Sequence, residues 1–162
     1  MKKSDFKNLS KDSLIELLLK LSKLNKENET FLESKLSSNY DDLFKLYCEK
    51  IDKAFCCYEL MSLRDARRAL LDFKKSNPSN SLFIQLCLYY IKKAYELEKT
   101  DWRFQENFYS AIERVYDMIF DIFEKDLSNK EKYIDEIEKL IEKSNEGWYH
   151  KEYLEYRLEK IK

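Results

Sequence analysis

The chain has 162 residues, about the length of one domain, and its 30 Lys and Arg against 31 Asp and Glu give a formal net charge of -1. At 44% hydrophobic and 38% charged, it has material for both a core and a solvated shell. One Gly, one Pro and one His exclude much else: phosphate-cradling loops and tight hairpins need residues that accept positive φ, and His-rich zinc sites need ligands this chain lacks.

Apolar residues recur at helical spacing nearly everywhere, and turn-like punctuation divides them into about eight segments. The first, over 11–24, has Ser10 as N-cap and Leu14, Leu17, Leu18, Leu21 and Leu24 along one face. A weaker segment covers 27–36. The third, over 41–57, sets Leu43, Tyr47, Ile51, Ala54 and Tyr58 on one side. Ser62 caps the fourth, which ends near Lys75 ahead of Ser76, Asn77 and Pro78. The fifth covers 81–98, the sixth 105–124, the seventh 129–143 and the last 148–160. Ser128 with Glu131 is a capping-box pattern, and Gly147 stands where a left-handed, helix-ending residue is expected.

The fifth and sixth segments are the expected centre. In the sixth, Phe108, Ile112, Val115, Ile119 and Ile122 form one stripe and Tyr109, Tyr116, Phe120 and Phe123 a second, so two neighbours can pack on it. The fifth is apolar except at Gln85, Tyr89, Lys92, Lys93 and Glu96. The fold class follows: all-α, a compact multi-helix bundle or a short stack of antiparallel helix pairs, with no β-sheet, in a single domain over 1–162.

Cys48, Cys56, Cys57 and Cys87 lack the paired short spacings of a tetrahedral zinc site, and the adjacency of Cys56 and Cys57 does not suit a direct disulfide. They read as reduced thiols, with Cys48 and Cys87 acting as small hydrophobes, which predicts a cytoplasmic location. Lys2 and Lys3 resemble the start of a signal peptide, but Glu16 breaks the apolar stretch from Leu14 and no small-residue cleavage site follows. The longest apolar run, 82–91, contains Gln85 and is far short of the roughly 20 residues that span a bilayer. No membrane association, no metal and no cofactor are expected.

LSKDSLIELLLKL, SLRDARRALLDFKK, LYYI, FYSA and GWYH, in that order, resemble a family of small all-α bacterial proteins catalogued only as a domain of unknown function. Cys56 and Cys57 stand where that family tends to carry an aromatic residue and a proline. The resemblance spans nearly the whole chain and implies a fold but no activity.

The most asymmetric surface feature is the fourth segment. Leu63, Ala66, Ala69, Leu70 and Phe73 share one side, while Arg64, Arg68 and Lys75 align on the other with Arg67 and Lys74 beside them. Guanidinium groups bind planar oxyanions bidentately, so this arc suits phosphates or an acidic partner; Arg68 also lies within helical reach of Asp65 and Asp72, as ordinary surface pairs do. Leu71 falls in the middle of the basic arc, so either the arginine stems cover a second buried contact there or a partner does. On the sixth segment Glu113, Asp117, Asp121 and Glu124 form an acidic stripe, which reads as a solvated face, a surface paired with the basic segment or, less simply, a hard-cation site. In the last segment Tyr149, Tyr153 and Tyr156 form one stripe and Leu154, Leu158 and Ile161 another, one of which packs on the core while the other offers an aromatic contact strip. His150 has no identifiable nucleophile partner and reads as a histidine hydrogen-bonded within a helix corner.

The aromatics interleaved with lysines could stack on nucleotide bases, but most fall on apolar arcs that core packing explains. The expected function is a non-enzymatic protein-interaction domain. It would bind a protein partner or a second copy through Arg64, Arg67, Arg68, Leu71 and Lys75 and through Tyr149, Tyr153 and Tyr156. The alternative is a nucleic-acid-binding regulator using the same basic helix.

Overall fold

The computed structural model describes residues 2–162, which form nine α-helices and no strand. In chain order these are α1 (Lys3–Lys7), α2 (Lys11–Ser22), α3 (Lys26–Ser37), α4 (Asp41–Ala54), α5 (Leu63–Lys75), α6 (Asn80–Glu98), α7 (Glu106–Phe123), α8 (Leu127–Glu142) and α9 (His150–Glu159). Short 3-10 turns occupy Tyr58–Leu60 and Gly147–Tyr149. The all-α expectation holds, with one short helix, α1, that the periodicity did not mark. By its contacts the chain divides into two units, one ending at Leu46 and the other Tyr47–Lys162.

In the first unit, α2 and α3 pack as a hairpin. Ser10 Oγ accepts from the Ser13 amide at 3.1 Å and caps α2, while Asn25 Oδ1 accepts from the Asn28 amide at 2.9 Å and caps α3. Asn28 Nδ2 donates across the hairpin to the Leu21 carbonyl at 3.0 Å. The leucines of α2 do not become core: no residue of this helix is buried. Apolar side chains run round most of its circumference, and α3, with only Phe31, Leu32 and Leu36, offers too little to cover them.

The second unit is built on α6 and α7, which pack on each other. Ten residues of α6 are buried, from Phe83 to Leu97, and eight of α7, from Phe108 to Phe123. Tyr47 of α4 lies against Phe73 of α5 with ring centroids 5.4 Å apart, and Phe55 meets Tyr90 edge-on at 4.9 Å. α4 ends at Ala54, earlier than expected, because the chain folds back and the Ser62 amide takes the Ala54 carbonyl at 2.9 Å.

Two helix-end expectations fail. α8 begins at Leu127 under Asp126, whose carboxylate accepts from the Asn129 amide, Asn129 Nδ2, Ser128 Oγ and Asn80 Nδ2. A carboxylate satisfies several donors at once, and the Ser128 hydroxyl is spent donating to it, so the Ser128 capping box does not form. Gly147 is not left-handed; Trp148 (φ 57°) and Tyr149 (φ 56°) are. Asn145 Oδ1 accepts from the Gly147 amide at 2.6 Å, and the reversal falls on the two residues after it.

A basic groove between α5 and α7 as candidate functional site

Ser62 fixes the start of α5, its Oγ accepting from the Asp65 amide at 3.2 Å. Ala66, Ala69, Leu70 and Phe73 are buried and hold α5 against α6 and α7. Burying that face turns Arg64, Arg67, Arg68 and Lys75 outward along an open groove of about 590 Å³ shared with α7. Arg114 of α7 joins them, while Leu63, Leu71 and Ala111 give the groove apolar surface. Leu71, half-buried, lines this groove, whose rims are guanidinium groups. Asn107 completes the α7 side.

Five bases and one acid, Asp72, line the groove. The Asp72 carboxylate is shared between Lys75 Nζ at 2.7 Å and Arg68 Nε at 3.5 Å. The Lys75 hydrogen bond, more than any other neighbour, holds its carboxyl below the ordinary carboxylate range. Outside the lining, Arg64 Nε reaches Asp65 Oδ1 at 3.4 Å, and the Ser62 hydroxyl is the main cause of the lowered Asp65 pKa. Arg67 and Arg114 have no carboxylate partner among the described residues. Such a surface can bind carboxylates or phosphates bidentately and seat an apolar side chain between them. No Cys, His, Ser or Thr lines it.

Sequence reasoning found Arg64, Arg67, Arg68, Leu71 and Lys75, and the structure brings all five together. It missed Arg114, which stands between Glu113 and Asp117 and reads as part of an acidic stretch. The available signal was the spacing of Asn107, Ala111 and Arg114, three positions of one helical face that is neither acidic nor fully apolar.

The C-terminal tyrosines lie elsewhere. α7 turns Asn107, Ala111 and Arg114 to the groove but Glu113 and Asp117 to the C-terminal segment. His150 is fully buried, its Nδ1 2.9 Å from Glu113 Oε1 and its Nε2 3.0 Å from the Tyr95 hydroxyl. Tyr153 donates to Asp117 Oδ2 at 2.9 Å, and Arg157 Nε donates to Asp117 Oδ1 at 2.8 Å. Burial and the Asp117 carboxylate push the Tyr153 phenol up to about 12. The acidic stripe thus neither pairs with the basic helix nor stays wholly solvated: its first half holds α9 in place, and Asp121 and Glu124 stay exposed. Leu154, Leu158 and Ile161 are the inward stripe. The tyrosine strip is interrupted at Tyr153, which is half-buried, while Tyr149 is 81% and Tyr156 54% exposed, with Lys160 Nζ 4.1 Å from the Tyr156 ring centroid.

All four cysteines are free, with Cys87 buried and Cys56 exposed. No group of three or more His, Cys, Asp or Glu side chains is placed to hold a metal ion, and no helix is long and apolar enough to cross a membrane, among the described residues. No family model, no curated protein and no solved structure matches the chain.

Proposed function

We propose that this chain is a non-enzymatic interaction domain whose α5–α7 groove binds an acidic, amphipathic segment of a partner protein. One observation carries this reading: five bases with a single carboxylate among them surround Leu63, Leu71 and Ala111. Carboxylates of an amphipathic helix would meet the arginines while its apolar side chains cover the leucines. Exposed Tyr149 and Tyr156 would add a separate contact surface of rigid, amphipathic rings. The four free cysteines support a reducing, cytoplasmic setting.

The guanidinium groups of Arg67 and Arg114, free of carboxylates, favour the second reading, a nucleic acid in the same groove. No aromatic ring lines the groove, so it supplies phosphate contacts without a stacking platform, and the protein reading is preferred. A labelled Glu- and Leu-rich amphipathic peptide and an arbitrary oligonucleotide, each titrated by fluorescence anisotropy, separate the two. The peptide should bind in roughly the micromolar range and weaken about ten-fold or more when Arg64, Arg67 and Arg68 are changed together to Glu. Circular dichroism should be unchanged. Equal affinity in the triple variant would overturn the reading. Oligonucleotide binding with a steep salt dependence, and none of the peptide, would establish the alternative.

A further inference from the structure

We infer that Cys56 and Cys57 form a two-thiolate site for monovalent copper, independent of the α5–α7 groove. α4 ends at Ala54, so both residues lie beyond the helix, on which neighbours would project about 100° apart, and Cys57 takes extended backbone (φ -164°, ψ 164°). Their Sγ atoms lie 4.0 Å apart. Cys56 is exposed and Cys57 half-buried, whereas Cys87 is sealed in the core. Cys56 also opens on a hollow of about 330 Å³ shared with Asp52, Lys93 and Thr100, which gives an incoming copper complex access to the thiol.

The segment is anchored on both sides of the pair. Phe55 packs edge-on against Tyr90 with ring centroids 4.9 Å apart, and Tyr58 meets Phe104 edge-on at 5.0 Å. Arg103 pairs with Glu59 at 2.8 Å and lies 4.3 Å over the Tyr58 ring, and the Ser62 amide closes the loop on the Ala54 carbonyl. Sulfurs set between fixed neighbours need little further ordering to bind an ion. A direct disulfide does not compete: adjacent Cα atoms across a trans peptide are about 3.8 Å apart, closer than the roughly 4.4–6.8 Å that disulfides span. An ion held between the sulfurs meets no such limit. With metal–sulfur bonds of about 2.3 Å, sulfurs at this separation close on it at an S–metal–S angle of roughly 120°. Zinc calls for a tetrahedral set, and no third His, Cys, Asp or Glu among the described residues is placed to join the pair. Monovalent copper is soft, selects thiolates and is satisfied by two. Its binding displaces both thiol protons.

Titrating the reduced full chain, without oxygen, into the coloured bicinchoninate complex of Cu(I) tests the site by the colour lost as copper transfers. The account expects one ion per chain. Cys56→Ser and Cys57→Ser should each weaken binding about 100-fold or more with helicity unchanged, because the second thiolate acts at high effective concentration. Cys48→Ala should leave the affinity as it was. Arg64→Glu, Arg67→Glu and Arg68→Glu together should do the same, so failure here and failure of the groove are read separately. One ion shared by two chains, a loss on changing only one cysteine of the pair, an equal loss in Cys48→Ala, or no transfer of copper at all would overturn the site.

Discussion

Asp72 shows how one residue tempers a surface. Its carboxylate divides itself between Lys75 and Arg68, and so offsets charge in a groove where Arg67 and Arg114 are left with no acid of their own. Replacing it by Asn keeps the volume and removes the charge. We predict that Asp72→Asn tightens binding of the acidic peptide several-fold and steepens its salt dependence, because two more cations become available to the ligand. Anisotropy titrations at two salt concentrations measure both effects; weaker binding would show that Asp72 orients Lys75 and Arg68 for the ligand rather than competing with it. The phenol of Tyr153 makes the opposite point. On a helical wheel it aligns with Tyr149 and Tyr156, yet its hydroxyl donates to Asp117 and it leaves the surface set. Wheel position fixes direction from the axis, but only the neighbouring helix decides what that direction meets.

At the scale of elements, the C-terminal corner is held by His150. Trp148 and Tyr149 occupy left-handed backbone at a cost on the order of 1 kcal/mol each. What fixes the residues that follow is the buried imidazole between Glu113 and Tyr95. Removing it with His150→Ala leaves a cavity and two polar groups without their partner, and should cost about 3 kcal/mol in urea-induced unfolding. A cost below about 0.5 kcal/mol would mean the corner is fixed otherwise. Phe73→Ala on α5, fully buried against Tyr47, should cost about 3–5 kcal/mol by the same measure.

Helix positions and the caps at Ser10 and Ser62 were legible because both depend on local spacing. The Asp126 cap was not, since it gathers Asn80 from 46 residues away. Nor was the corner, where glycine composition suggested Gly147 while a local Asn145 hydrogen bond moved the reversal onward. The exposure of α2 was hidden for the same reason: amphipathic spacing predicts a face to be covered, and says nothing of whether a partner in the same chain covers it. Of the candidate groove, the α5 half followed from charge segregation along one helix. The α7 half required knowing that α5 and α7 touch.

For the second unit as a whole, the many buried tyrosines set its behaviour in alkali. Burial raises the phenols of Tyr90, Tyr95, Tyr109, Tyr116 and Tyr153 above the free-chain value of about 10, and carboxylate neighbours add to this for Tyr109 and Tyr153. A group whose folded pKa is raised stabilises the fold in full below the unfolded value and loses that contribution as pH rises, through about 12 for Tyr153. Phenolate absorbance should therefore appear later in the folded chain than in the urea-unfolded one, and helicity should fall together with it; coincident titrations would contradict the buried network. The groove is tested most directly by amide chemical shifts of the nitrogen-labelled chain titrated with the acidic amphipathic peptide. Shifts confined to the α5 residues from Leu63 to Lys75 and the α7 residues from Asn107 to Arg114 are predicted. Shifts centred on α9, or none at saturating peptide, would contradict the assignment of the interaction site.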